Sequence, residues 1–397
     1  MIFHYLKIAF RNLCKHKTQN IISIIGLAVG LLCFCVCIYC SRFVESTDHC
    51  FANHDRIAEL NLYDGKADRY FSGSPVPLAE DLRTWSLGET EAISSVTYPR
   101  ERPYYVELSP EKTLPYELET IEIDTCYNKI FTPEMVAGHW KMASQSLNSV
   151  ILSQSMAIKI FGNAESAIGK HMTLMRRLNT SPESTPKTGG IVYTIQAVMK
   201  DIPLNNSLDF MQNIDMLTVN DSEGLLQSPK RYNMTGANTY VLLSPQTTCT
   251  DLEKQFSKRD YTYTLYGEAY TVTASSMGAR LKKQGASYLG LVTGTVGTLI
   301  LLVGLINFFH FLIGSFFNRT KEYSIMKMIG CNWKQLFCLL FTQSLIVISI
   351  SSILVLSGIE LLGNHMNFSL PGFAMTFTSE TLLIHALQYI VLLIILC

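Results

Sequence analysis

Residues 289–317 read LGLVTGTVGTLILLVGLINFFHFLIGSFF, with no Asp, Glu, Lys or Arg among them. A helix needs roughly 20 mostly apolar residues to cross a bilayer, whose hydrocarbon core offers no water to a polar backbone. This stretch exceeds that length, so it decides the fold class: an integral membrane protein. Working outward, residues 21–39 (IISIIGLAVGLLCFCVCIY) and 336–359 (LFCLLFTQSLIVISISSILVLSGI) meet the same criterion. Residues 381–397 (TLLIHALQYIVLLIILC) are apolar but short for a span, and the sequence stops inside them.

Hydrophobic residues make up 48% of the 397 positions and charged residues 16%, against about 25% charged in a soluble domain. The deficit lies at the two ends, and the middle reads as a soluble domain. The organisation expected is an interfacial helix at 1–19, a first span at 20–42, an extracytoplasmic domain at 43–287 and a second membrane region at 288–397. That region holds spans at 288–317, 336–359 and 381–397, with a connection at 318–335. The first apolar run exceeds the about 7–15 residues of a signal-peptide core and no A-x-A-like site follows it, so it reads as an anchor. Ile2, Leu6, Phe10 and Leu13 recur at helical spacing opposite Lys7, Arg11 and Lys15, the pattern of a helix lying in the membrane interface.

Orientation follows from Lys and Arg in short flanking segments. Lys7, Arg11, Lys15 and Lys17 precede the first span, Arg319, Lys321, Lys327 and Lys334 lie between the second and third, and none follows Gln335. Both clusters belong inside, which puts the N-terminus in the cytoplasm and residues 43–287 outside. Gly26 and Gly30 form one GxxxG and Gly290 and Gly294 another; small residues let membrane helices approach closely. Asn307 and His310, three apart on one helical face, read as residues for an interhelical hydrogen bond worth roughly 1 kcal/mol, with a substrate site as the alternative.

In the outer domain, residues 149–153 (SVILS) read as a buried strand, followed by a helix at 154–161 capped by Gly162. Residues 191–200 alternate as a strand, 239–243 form another, 250–258 a helix, and 179–190 a polar loop rich in Pro, Gly and Ser. Helices and strands mix without a doubly wound rhythm, so the class is α+β. His49, Cys50, His54 and Asp55 fit no tetrahedral zinc spacing. No G-x-S-x-G or H-E-x-x-H occurs, and Gly169-Lys170-His171 fails as a Walker A loop, with Ala164 where its first glycine belongs. No catalytic, cofactor or metal site is expected, and neither charge nor motif points to nucleic acid. Of eleven cysteines, Cys50, Cys126 and Cys249 fall outside the membrane; one bridge could form, and spacing chooses no pair.

The connection at 318–335 carries Tyr323, Ile325, Met326, Met328 and Ile329, apolar where an isolated loop should be polar. Glu322 and Lys327 stand beside them, and Gly330 would end a short helix. An apolar patch framed by charge reads as a partner-binding surface; the alternative is a helix resting on lipid headgroups.

Several stretches together resemble a known family. NLCKHKTQNIISIIGLAVGL at 12–31 and HDRIAEL at 54–60 resemble the opening of MacB/FtsX-type ABC transporter permeases. SVILSQSMAIKIFGNAESAIGKHM at 149–172 and YTIQAVMKDIPLNNSLDF at 193–210 are similar to the MacB-like periplasmic core. NRTKEYSIMKMIGCNWKQLFCLLFTQSL at 318–345 is similar to the FtsX-like permease signature. Ser324 and Met326 stand where that family often has Gly and Arg, and Gln343 where Glu is frequent. The family usually completes a fourth span, so an ending at Cys397 reads as a permease cut short. The resemblance implies a subunit of the mechanotransmission type in a bacterial inner membrane. It would couple a separate cytoplasmic ATPase to motion of the periplasmic domain, for efflux or extraction of a substrate. Arg319, Lys321, Glu322, Ile325, Met326, Lys327 and Gly330 would form the ATPase-coupling loop. A homodimer or paired permease half, packed partly through Gly26 and Gly30, a periplasmic adaptor and the lipid bilayer are the further partners implied. The alternative role is an FtsX-like scaffold that activates a periplasmic partner without transport.

The orientation has a direct check. A cysteine introduced in the 179–190 loop is expected to react with an impermeant thiol reagent on intact cells, and one at Lys321 only after permeabilisation.

Overall fold

The computed structural model describes residues 7–9, 11, 15, 17–71, 73–85, 87–109, 112–174, 190–209, 213–222, 224–226, 235–258, 262–265, 268–279, 287–317, 319–365, 367–370, 373–376, 386–387 and 390–391. The chain divides into two compact units, Met1–Glu45 with Gly285–Cys397, and Ser46–Gln284. In chain order the helices are α1 (Lys17–Glu45), α2 (Leu78–Thr84), α3 (Tyr127–Phe131), α4 (Trp140–Gln145), α5 (Gln154–Phe161), α6 (Cys249–Lys258), α7 (Ser287–Phe317), α8 (Thr320–Met328) and α9 (Trp333–His365). The strands are β1 (Ile57–Asp64), β2 (Arg69–Phe71), β3 (Ser74–Pro75), β4 (Thr90–Thr97), β5 (Arg100–Ser109), β6 (Lys112–Ile123), β7 (Met135–Gly138) and β8 (Ser149–Ser153). They continue with β9 (His171–Leu174), β10 (Val192–Met199), β11 (Met216–Val219), β12 (Thr235–Leu243), β13 (Thr262–Leu265), β14 (Glu268–Ser276), β15 (Asn367–Leu370) and β16 (Phe373–Thr376).

In the first unit three helical segments are long and apolar enough to cross a membrane: Asn20–Glu45, Tyr288–Gly314 and Trp333–Leu361. The protein is therefore a multi-pass membrane protein. Most of the short apolar run at 381–397 lies outside the described residues. The three long helices share a core in which Leu27 and Leu31 of α1 meet Phe308 and Phe311 of α7 and Val347, Ile348 and Val355 of α9. Ser351 on α9 also donates to the Ile24 carbonyl at 3.1 Å. Outward residues such as Ile22, Leu291 and Val303 are apolar and exposed, as hydrocarbon requires.

The second unit is α+β, built on one sheet of fourteen strands in the order β11-β8-β10-β9-β5-β6-β4-β12-β1-β14-β13 with β2, β3 and β7 attached at its sides. β11 also pairs in parallel with β6, so the six strands from β11 to β6 close into a ring and lose their free edges. The SVILS stretch is β8, bounded as its sequence indicates, and every residue in it is buried. Strand alternation sends Val150 and Leu152 to one cluster and Ile151 to another. Both faces are covered, which is why the stretch is apolar throughout rather than alternating. Beyond the ring, β12, β1 and β14 carry α2 and α6 over a third cluster containing Leu60, Leu62, Leu82, Leu252 and Phe256. The α5 helix ends at Gly162 with φ +86°, the left-handed cap that glycine adopts without penalty. Residues 179–189 of the polar loop lie outside the described residues. Cys50, Cys126 and Cys249 are all free thiols, so no bridge forms among them.

The motif DIPLNNSLDF has a structural explanation. Asp48, buried at the start of the unit, accepts the Ser207 backbone N–H at 2.6 Å and also the Ser207 hydroxyl. Its own N–H donates to the Asn205 carbonyl at 2.9 Å, and the Asn205 side chain donates to the Ser46 carbonyl and hydroxyl at 3.1 and 3.0 Å. Asn206 is fully buried and caps the turn by accepting from Leu208 and Asp209 N–H, both at 3.0 Å. A Cβ at Gly278 would lie 2.5 Å from Asp48 Oδ2, so only glycine fits there. Through this clip the segment by which the chain enters the unit is held on the 205–207 loop, with Gly278 of the exit segment packed close beside it.

Glu122 near the end of β6 is also buried and accepts the backbone N–H groups of Leu225 and Leu226 at 2.6 and 2.8 Å. Burial raises its pKa to about 7; Asp221 adds to the rise, while the two N–H donors and Arg102 oppose it. The folded state therefore holds this proton more tightly than the unfolded chain does. The contribution of Glu122 to stability is fully present below the ordinary Glu value of 4.5 and is lost as pH rises from there through about 7, by on the order of 3 kcal/mol. Asp209, raised by burial to about 7, adds to the same slope. Denaturant unfolding followed through Trp85 and Trp140 is expected to show this decline, and Glu122→Gln to flatten it partly while leaving the Asp209 share.

Candidate functional site

In hydrocarbon, helix association gains nothing from expelling water and depends on close packing. The helices α1 and α7 meet through glycines. A Cβ at Gly30 would sit 3.3 Å from Gly304 Cα, and one at Gly297 would sit 2.5 Å from Cys37 Cβ. Gly26 faces the Asn307 amide at close range, so a side chain there would displace that amide. Gly294 would bring a Cβ to 3.3 Å from Ser41 Oγ, whereas one at Gly290 makes only ordinary contacts of 3.7 Å. The stripe on α7 is thus Gly290, Gly297 and Gly304, spaced by seven, with Gly294 between. GxxxG scanning finds its upper end and misses Gly304, the residue that meets Gly30; a scan for small residues every seventh position would have found it.

Two expectations change. Asn307 lies against Gly26, but His310 is exposed, because three residues of helix turn it about 60° off that face; the two do not share the face that meets α1. Gly26 and Gly30 face α7 of the same chain, so the face expected to join a second copy is already filled within this one.

The connection between the second and third spans folds as α8, joined to α9 by a short turn. Its N-cap residue, Arg319, is only 3% exposed, and its guanidinium donates to Gln343 Oε1 on α9 at 3.3 Å. Gln343, noted in sequence only as a departure from a frequent Glu, is the acceptor that lets a cation be buried at the end of the bundle. Tyr323, expected on the exposed patch, is instead buried with its ring stacked on Phe316, centroids 5.7 Å apart. Burial lifts its hydroxyl pKa, against the pull of Arg319.

The helix ends at a full Schellman motif. Cys331 N–H donates to the Met326 carbonyl and Gly330 N–H to the Lys327 carbonyl, at 3.0 and 3.1 Å, with Gly330 at φ +100°. Both bonds satisfy carbonyls that the helix end would leave orphaned. The turn swings Trp333 back so that the Lys327 ammonium lies 4.3 Å from its ring centroid. Glu322 pairs with Lys15 at 3.2 Å, both well exposed, a contact contributing about 0–1 kcal/mol.

The helix therefore has two faces. Lys321, Ile325, Met328 and Ile329 are exposed on one, Met328 at 79% and Ile329 at 82%. On the other, Thr320, Tyr323, Ser324 and Lys327 line a cleft of about 200 Å³ against Trp333 and Leu336. Met326 is half-buried. Trp333 and Phe337 are both more than 60% exposed; Trp333 stands at the side of the cleft, and Phe337 adds exposed apolar surface on α9, where an aromatic residue at a span boundary is ordinary.

Residues 294–397 match the FtsX-like permease C-terminal family, which covers α8, α9 and most of α7. No curated protein matches the chain. Among solved structures it is similar to a domain assigned to a permease protein of Porphyromonas gingivalis, at 20% identity, covering 57% of this chain and 93% of that one, TM-score 0.43. It is also similar to the periplasmic region of MacB from Actinobacillus actinomycetemcomitans, at 13% identity, covering 61% and 96%, TM-score 0.39. A third is the extracellular domain of the noncanonic ABC-type transporter YknZ from Gram-positive bacteria, at 11% identity, covering 55% and 99%, TM-score 0.34.

The glycine contacts predict an asymmetry. Gly30→Leu is expected to cost about 1–3 kcal/mol through overpacking and to lower the thermal midpoint of the detergent-solubilised protein, while Gly290→Ala stays within about 0.5 kcal/mol of wild type.

Proposed function

We propose that this protein, an FtsX-like permease over residues 294–397, is the membrane subunit of an ABC transporter of the mechanotransmission type. A separate cytoplasmic ATPase would dock on the outer face of α8, and its motion would be passed to the unit formed by residues 46–284. The observation that carries this reading is α8 itself. It is a short helix between two spans, within the family-matched segment, and it exposes Ile325, Met328 and Ile329 to more than half of their surface. Contiguous apolar surface outside the membrane-spanning stretches marks a partner site, and Lys321 beside it suits an acidic rim on that partner.

The construction of α8 suits the transmission of force. Arg319 ties its start to α9 through Gln343, Tyr323 ties its middle to the end of α7 through Phe316, and the Schellman turn fixes its end. A load on the outer face would therefore reach two spans without being absorbed by a flexible loop. The spans carry almost no ionisable groups, which leaves no series of sites for an ion-driven mechanism. Under this reading ATP hydrolysis resides on the partner and α8 lies in the cytoplasm, the side that the Lys and Arg flanking the spans favour. The same docking would serve a scaffold that activates a periplasmic partner, and substrate movement in reconstituted vesicles separates the two.

Placing charge on the outer face tests the docking. Met328→Asp with Ile329→Asp is expected to leave insertion and the thermal midpoint unchanged, since both side chains are exposed, and to reduce co-purification with the ATPase by at least tenfold, about 1.4 kcal/mol. Co-purification at the wild-type level would sink this assignment of α8.

A further inference from the structure

The cleft on the inner face of α8 is unused by the docking surface, and its chemistry differs. Its floor is apolar, formed by Phe316, Tyr323 and Leu336, and Lys327 and Trp333 stand at its side. Phe316 is next to the last residue of α7 and Trp333 is the first residue of α9. By chain order the cleft therefore lies where two consecutive spans end on the same side of the membrane. Trp and Tyr, apolar bodies with one polar end, favour that depth.

Among the described residues, Lys327 is the one charged residue that lines it. The connection also carries Arg319, Lys321 and Lys334, and its single acid, Glu322, is paired with Lys15. Arg319 is held by Gln343, while no carboxylate pairs with Lys327 among the described residues. At about 200 Å³ the cleft is smaller than the roughly 300–1,000 Å³ that encloses a drug-sized molecule. It can take a headgroup and the start of an acyl chain, not a whole transported compound.

We propose that this cleft binds the headgroup end of an anionic phospholipid, with Lys327 meeting the phosphate and Trp333, Phe316 and Leu336 the adjoining apolar part. Basic pockets between helix ends at the membrane surface are suited to acidic lipid headgroups. The cleft residues, Thr320, Tyr323, Ser324 and Lys327, occupy the face of α8 opposite Ile325, Met328 and Ile329, so lipid and docked partner can be present together. A bound lipid would set how α8 seats against α7 and α9. The inference needs only that the protein spans a membrane and stands if the ATPase-docking reading falls.

Trp333 is the reporter. The chain has three tryptophans, so Trp85→Phe with Trp140→Phe leaves Trp333 alone in the full-length protein. In nanodiscs, brominated phosphatidylglycerol is expected to quench its fluorescence severalfold more than brominated phosphatidylcholine at equal mole fraction. Lys327→Gln is expected to remove that preference and Lys321→Gln, on the other face, to retain it. Ser324→Leu, which narrows the cleft and leaves Lys327 in place, is expected to weaken the preference too, so the result does not rest on one variant. Inorganic phosphate at millimolar concentration is expected to leave the preference intact. Equal quenching by the two lipids would overturn the proposal and return the cleft to the protein-docking surface. A preference that survives Lys327→Gln would overturn it as well, and competition by inorganic phosphate would show a free-anion site instead.

Discussion

The membrane unit depends on the approach of α1 to α7 at Gly30 and Gly304. Lipid tails solvate leucine as well as a neighbouring helix does, so these two helices stay together only if their backbones come near enough for dispersion and weak polar contacts to accumulate. A glycine on each side permits that approach, and Gly26, Gly294 and Gly297 extend it along the pair. With α1 and α7 joined, α9 has a groove to fill, and Ser351 adds a hydrogen bond to the Ile24 carbonyl. Phe308, Val347 and Val355 then become core residues although nothing in their local sequence separates them from lipid-facing neighbours.

From this packing follows the character of α8. A helix of nine residues is too short to be stable alone in water. It is held by three anchors belonging to its neighbours: Gln343 for Arg319, Phe316 for Tyr323, and the indole of Trp333 under Lys327. These anchors divide its surface. What they cover becomes the cleft, and what they leave becomes the outer apolar face. The two proposed roles, lipid inside and protein outside, are consequences of one division.

The outer unit uses different means to a related end. Its ring of strands needs no edge protection, and its motif loop spends polar groups on a clip rather than on a ligand. Asp48 accepts from the Ser207 N–H and hydroxyl, and Asn205 donates to Ser46, so the buried carboxylate is met by hydrogen-bond donors. Sequence comparison alone would assign such a cluster of small polar residues to binding; the hydrogen bonds tie the entry of the chain into the unit to the loop at 205–207.

The sequence by itself determined what depends on composition and local periodicity. Charge-free apolar runs settle the three long helices, since each backbone must satisfy itself within hydrocarbon. Residues 149–162 settle a strand, a helix and its glycine cap, because apolar continuity and a left-handed C-cap are local signals. Gly330 likewise announced the end of α8. Only the tertiary structure decided what depends on rotation about a helix axis and on partners distant in the chain. It paired Gly30 with Gly304, turned His310 outward while Asn307 faced in, buried Tyr323 and left Ile329 exposed. It also made Gln343 the acceptor for Arg319. In a helix that is apolar all round, no hydrophobic pattern marks the inner face, so which residues meet is set by shape, and shape appears only when the helices are together.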